Sequence, residues 1–294
     1  MTADASSSGD IPKRSWRELP NAINLQPVNG ANYYEFQLPN GSSAHLVVAY
    51  IKGGKWRVRP SICDKTSPTS TVGQAQAASA AVNGGYFNLS DGMSAGYVTI
   101  EGTLKADPRE NQALMNNSKL QAFLPQILNR AEIRILKKNN NEPGYEISIA
   151  RHNDPLPPQT ELVDALQAGP RLLPTLDDED EAFLRKQADG SIADSIGCKK
   201  AAARTAFGIT ADGYVMFLTI ADKAHDKEST GLTLAQLAEL LKHLGCREAI
   251  NLDGGSSTSM FVRLSSDNGE NKGSIVCAKS PETMVKTVLL LSPQ

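Results

Sequence analysis

The chain has 294 residues, with 40% hydrophobic and 21% charged side chains and a formal net charge of −2. That composition belongs to an ordinary globular protein, long enough to bury a large core. The charge balance lacks the basic surplus that capture of nucleic acid needs, and no apolar run reaches the ~18 residues of a membrane-spanning helix.

Residues 1–29, opening MTADASSSGDIPKRS, read as a flexible polar lead. No basic segment followed by an apolar stretch occurs there, so it carries no secretory signal. Residues 30–294 read as one domain. Between Asn32 and Cys63 the β-rich runs are broken by Asn40-Gly41 and Gly53-Gly54, which predicts an antiparallel meander. The alanine-rich TVGQAQAASAA predicts a helix over 71–81, running into Val82 and Asn83-Gly84-Gly85. Tyr97–Ile100, Glu132–Lys137 and Tyr145–Ala150 read as strands, and Pro155–Pro158 as a connector. The acidic run DDEDE, Asp177 to Glu181, reads as a solvated helix or loop face; its spacing is not that of a calcium loop.

The last third is the clearest. Thr205–Thr210 and Tyr214–Ile220 flank Ala211-Asp212-Gly213 as a hairpin. Thr233 can cap a helix, with Gln236 placed to complete a capping box and Leu234, Leu237, Leu241 and Leu244 at helical spacing. Gly245 ends it, Glu248–Leu252 is the next strand, and Val285–Leu291 is a closing, central strand. The expected fold is a single α/β domain of the mixed α+β kind, with a mostly antiparallel sheet core and few helices. The widely spaced Cys63, Cys198, Cys246 and Cys277 form no zinc motif and read as buried thiols, although an even count permits disulfides.

Strand ends are where such a protein presents reactive groups. Four segments place polar residues there: Asn83-Gly84-Gly85-Tyr86-Phe87; Ala168-Gly169-Pro170-Arg171; the hairpin ends at Arg204-Thr205 and Asp222; and AINLDGGSSTSM, Ala249 to Met260. Clustered amides and hydroxyls beside glycines can hold an anion such as phosphate. No P-loop and no G-x-S-x-G elbow occurs, which argues against nucleoside triphosphate hydrolysis and serine hydrolysis. Of the four histidines, His243 falls inside the leucine-patterned helix, and His225, close to Asp222, is the one to watch.

The segments AVNGGYF, AGPRLL, ARTAFGITADGYVMFLTIAD and GLTLAQLAELLKHLGCREAINLDGGSSTSM resemble, in order and spacing, those of the phosphodiester glycosidase family. The resemblance runs from about Val72 to Leu291 and is tightest from Arg204 to Ser257. One position departs from the family pattern N-L-D-G-G-G-S: Ser256 stands for the third glycine. Residues 108–158 carry no matching motif.

The resemblance implies cleavage of a sugar from a sugar-1-phosphodiester at the anomeric carbon, in a periplasmic or extracellular setting, with a sugar phosphodiester or phosphorylated polysaccharide as partner. It makes Asp253 and Asp222 the expected carboxylate pair, Asp253 as nucleophile or electrostatic stabiliser and Asp222 as base, with exchangeable roles. Arg204 is the expected phosphate clamp. Asn83, Asn251, the Gly84, Gly85, Gly254 and Gly255 backbone, and the Ser257 and Thr258 hydroxyls are expected to hold sugar or phosphate oxygens. No cofactor motif or metal-ligand cluster is evident, though carboxylates and phosphate together could recruit a divalent cation. A non-catalytic saccharide-binding module, favoured by Ser256, and a glycosyl transferase using the same residues remain alternatives.

Overall fold

The structure, a computed structural model, describes residues 11, 13–26, 30–139, 144–187, 189–221, 231–265 and 271–294. Among the described residues, three large antiparallel sheets carry the fold, with a two-stranded sheet, Leu184–Lys186 and Ile192–Asp194, beside them. The first has seven strands in the spatial order Ile23–Asn24, Ala31–Gln37, Ser43–Tyr50, Tyr214–Ala221, Arg204–Thr210, Cys246–Asn251, Arg171–Leu173. The second orders Asn271–Cys277, Met260–Ser265, Ala80–Asn83, Met284–Pro293 and Trp56–Pro68. The third orders Thr103–Ala106, Val98–Ile100, Thr160–Gln167, Ala131–Lys138 and Glu146–Arg151. The mixed, mostly antiparallel class expected from the sequence is the class found.

Alternation along the hairpin strand Tyr214–Ala221 shows how the layers join. Val215 and Phe217 enter a core shared by the three sheets, beside Val82, Ile133, Leu166 and Leu289. Met216, Leu218 and Ile220 point the other way, into a core closed by the helix Leu234–Leu244. Burial on both faces explains why VMFLTI is apolar nearly throughout. The helix forms as its sequence dictates: Thr233 and Gln236 make the reciprocal capping box, and Gly245 terminates it at φ 105°. Its leucines at 237, 240, 241 and 244 are all buried; truncating one to alanine would cost about 2–5 kcal/mol.

Two expectations change. The helix over 71–81 is the shorter Thr69–Ala75, and Ala80–Asn83 is a strand instead. Tertiary pairing overrides alanine's helix propensity there, because Ala80–Val82 lies between two strands, bonded to Met260–Val262 and to Leu289–Leu291. The acidic run is not solvated throughout. Asp177 is ion-paired to Arg151 and Arg171. Glu181 is fully buried and accepts from the Arg171 and Ala131 amides. The closing strand is interior, as expected, and the four cysteines are free, with Cys63 half-buried and the rest buried.

Candidate functional site

Strand ends from all three sheets converge around Asp253. Asn83, fully buried at the end of its strand, donates from Nδ2 to the Asp253 carbonyl at 2.6 Å. Its Oδ1 accepts from Thr205 Oγ1 at 2.7 Å and from the Ser259 amide at 3.1 Å. One side chain that both donates and accepts thereby fixes the carboxylate loop against two sheets. Aspartate could not donate to the carbonyl, and an apolar residue would leave all three partners unpaired.

Gly84 and Gly85 lie against the closing strand. The Gly84 amide donates to the Thr287 carbonyl at 2.8 Å, and the Gly85 amide to Thr287 Oγ1 at 2.8 Å. The Gly84 carbonyl accepts from the Asp253 amide at 2.9 Å. A Cβ on Gly84 would stand 2.5 Å from Thr287 Oγ1, and one on Gly85 would stand 2.5 Å from the Gln167 carbonyl. Protein, not ligand, takes these close approaches and both amides. That removes the two amides from the groups expected to hold sugar or phosphate oxygens.

Asn251 is buried at the end of its strand, and its Nδ2 bonds to Tyr86 Oη at 2.8 Å and to the Leu252 and Gly169 carbonyls at 2.7 and 3.2 Å. The Tyr86 hydroxyl donates to the Gly169 carbonyl at 2.8 Å, and burial holds its pKa well above the ordinary phenol value. Tyr86 is the residue whose importance the sequence alone does not reveal. Its only signal there is an aromatic directly after the glycine pair. Asn251 Oδ1 and Thr258 Oγ1 are buried without a hydrogen-bond partner among the described residues.

Asp253 itself is half-buried. Desolvation pushes its carboxyl up to about 6, only partly offset by hydrogen bonds from the Ser257 side chain and the Gly254 amide, the latter at 2.9 Å. Gly255 sits at φ 59°, and a Cβ at that position would meet nothing within 4 Å, so backbone conformation rather than space calls for glycine. Its amide donates to the Ala203 carbonyl at 2.8 Å. Ser256, exposed in the 3-10 turn Gly255–Ser257, lies outside the left-handed region, so a serine is accommodated there without backbone strain. Ser257 and Thr258 are buried behind it.

Arg204 is only 2% exposed, and its guanidinium is engaged by main chain. Nε donates to the Leu232 carbonyl at 2.8 Å, Nη1 to Ile196 at 3.1 Å, and Nη2 to Gly197 and Lys200 at 2.6 and 2.8 Å. These carbonyls take four of the five N–H groups that a guanidinium carries. The clamp expected from the sequence is a staple for the loops under Asp253. Asp222 and His225 lie outside the described residues. No group of three or more metal-ligating side chains occurs among the described residues. A cavity of about 420 Å³ beside Lys52, Tyr145 and Thr210 lies at the far end of the same strands and shares no residue with this cluster.

A family model described as phosphodiester glycosidase matches residues 76–291. No curated protein matches the chain. Among solved structures, the catalytic domain of zebrafish N-acetylglucosamine-1-phosphodiester α-N-acetylglucosaminidase, auto-inhibited by its pro-peptide, aligns with TM-score 0.60 at 18% identity, over 93% of this chain and 87% of that one. A Synechocystis protein aligns with TM-score 0.61 at 16% identity, over 94% of this chain but only 64% of its own. A Burkholderia pseudomallei protein described as a "putative exported protein" aligns with TM-score 0.56 at 16% identity, over 92% of this chain and 76% of that one.

Proposed function

The chain belongs to the phosphodiester glycosidase family, and from that membership we propose that it hydrolyses a sugar-1-phosphodiester at the anomeric carbon, with Asp253 facing that carbon. The observation that carries the reading is a half-buried carboxylate at a strand end, held by Asn83, Gly84 and Gly254, with unpaired buried oxygens close by in sequence on Asn251 and Thr258. A buried acceptor without a partner costs about 1–3 kcal/mol, a cost that a sugar hydroxyl bound there would relieve.

In the reaction, the bond from the anomeric carbon to the phosphate oxygen breaks, and its electron pair leaves with the phosphate. Ionised Asp253 stabilises the positive charge that develops on the ring. Water attacks the same carbon and gives its proton to a base, for which Asp222, one residue beyond the strand ending at Ala221, is our assignment. Phosphate leaves as an already stable anion, so little protonation is required of the enzyme. Arg204 positions the loops rather than touching substrate, and Ser257 orients the carboxylate.

Ser256 gives no support to a mere binding module, since its side chain is exposed and its backbone ordinary. Work outside the cytosol rests on the family resemblance; the four free cysteines add nothing to it. The test is release of free sugar from a panel of α-linked sugar-1-phosphodiesters by the protein and by its Asp253→Asn variant. Release abolished by that change supports the assignment. Binding of a diester without release by the unaltered protein would replace hydrolysis with recognition.

A further inference from the structure

The rim that carries Asp253 holds a second cluster. Glu132 is 2% exposed, and its carboxylate is shared: Oε1 accepts from Arg134 Nε at 2.8 Å, and Oε2 meets His152 Nδ1 at 2.8 Å. The remaining Arg134 nitrogens donate to the Arg151, His152 and Asp154 carbonyls at 2.7 to 2.9 Å, which locks the loop that presents the imidazole. The ring lies flat on Tyr97, with centroids 3.8 Å apart and planes within 4°. Arg109, itself paired with Asp107, lies over the Tyr97 ring at 5.8 Å. The His152 side chain is nonetheless 30% exposed, and its Nε2 has no partner among the described residues.

Topology puts this cluster at the same end of the molecule as Asp253. Gln167 ends one strand of the third sheet, paired with Glu132. Its Oε1 accepts from the Tyr97 amide at 3.2 Å, and its Nε2 donates to the Arg130 carbonyl, which also accepts from the His152 amide. The Gln167 main-chain carbonyl fills the space that side chains would occupy on Gly85 and Gly96. Two residues on, the Gly169 carbonyl accepts from Tyr86 and Asn251. Gln167 thus ties the imidazole loop to the loop that holds Asp253.

A diester substrate brings an anion that needs a donor, yet Arg204 and the Gly84 and Gly85 amides are engaged within the fold. With Nδ1–H directed at Glu132, the imidazolium form of His152 offers Nε2–H outward, with a buried counter-charge behind it. Tyr97, itself buried, backs the His152 ring and fixes its plane. We propose that His152, held in place by Tyr97 and Glu132, forms the subsite for the phosphoryl group, with the sugar over Asp253. This subsite rests on the phosphodiester reading and gives it a direction across the rim.

The experiment uses glycerol 3-phosphate as a stand-in for the leaving half. Imidazole NMR of the whole protein follows His152 during titration, and calorimetry gives the affinity. The His152 ring signals are expected to move saturably. His152→Gln, whose amide keeps a hydrogen bond to Glu132 without the charge, is expected to bind about tenfold more weakly, the loss of one charge-assisted hydrogen bond. In diester hydrolysis the same variant is expected to raise KM with kcat nearly unchanged. Unmoved ring signals, or equal affinity in a folded His152→Gln, would overturn the subsite even if sugar release persists. Phosphate bound at His152 with no sugar released from any diester would leave the subsite standing and remove the hydrolase reading.

Discussion

Replacing Asp253 by asparagine should make the folded protein more stable at neutral pH while abolishing sugar release. Asparagine has nearly the same shape and can still accept from the Gly254 amide through Oδ1. What changes is the charge. In the folded chain the Asp253 carboxyl titrates at about 6, against about 4 in an unfolded chain. Between those values the folded state holds the proton more tightly, so the native protein loses stability as pH rises through that window. Above about pH 6 the full penalty applies. Two pH units correspond to about 2.7 kcal/mol, and solvent access to a half-buried group brings the expected gain down to about 1–2 kcal/mol. Urea denaturation followed by the fluorescence of Trp16 and Trp56 measures it. The variant should exceed the original protein at neutral pH, and the gap should close below about pH 4. An equal or larger gap at acid pH would mean that the carboxylate is not desolvated, and that its placement at a water-poor reactive centre is wrong.

The same titration shapes catalysis: if ionised Asp253 is required, kcat/KM should fall on the acid side with a midpoint at about 6, whereas a midpoint near 4 would point to a solvated group. Asn83→Ala leaves the Asp253 carbonyl, the Thr205 hydroxyl and the Ser259 amide unpaired in the interior; a loss of about 3–5 kcal/mol in urea is expected, and a loss under about 1 would return Asn83 to the role of ligand contact. Arg204→Lys cannot reach four separated carbonyls, so it should lower the melting temperature while leaving the affinity of the remaining folded protein for phosphate esters intact. Gly85→Ala forces a Cβ to 2.5 Å from the Gln167 carbonyl; displacement of the Asp253 loop should be read as lost kcat, and normal turnover would show that the contact yields easily.

Much of this is legible in the amino-acid sequence, for local reasons. The helix at Leu234 announces itself through a capping box and a terminal glycine, both of which act within one turn. Asn83, Asn251 and Asp253 stand out because strand-end polar residues that run into glycine pairs are chemically unusual, Arg204 because it opens an otherwise apolar strand, and the fold does gather them. Their partners are not legible. Arg204 is satisfied by main-chain carbonyls, which every residue possesses and which leave no mark in a sequence. Glu181 reads as solvated because its neighbours are acidic, yet it accepts from two amides that belong to other strands. Ala80 and Ala81 read as the end of a helix because alanine's preference is local, while the two strands that enclose them are distant in sequence.

The arrangement divides labour between groups that hold the site and groups left available to a ligand. Asn83, Arg204, Thr287 and Glu181 are buried polar residues whose hydrogen bonds run to backbone or to other buried groups. Each would be costly if unpaired, so together they restrict how the loops after the strands can sit. Against that rigid bed, the polar groups with spare capacity near the Asp253 loop include, among the described residues, the Asp253 carboxylate, Asn251 Oδ1, Thr258 Oγ1 and, across Gln167, His152 Nε2. A carboxylate and two acceptors suit a sugar and its developing positive charge, whereas the cation-capable imidazole suits the departing phosphate. On the proposed reading the carboxylate and the imidazole stand on opposite sides of the bond that breaks: the Asp253 charge, fixed before reaction, is the part that lowers the barrier, while His152 holds the phosphoryl group alike before and during bond breaking.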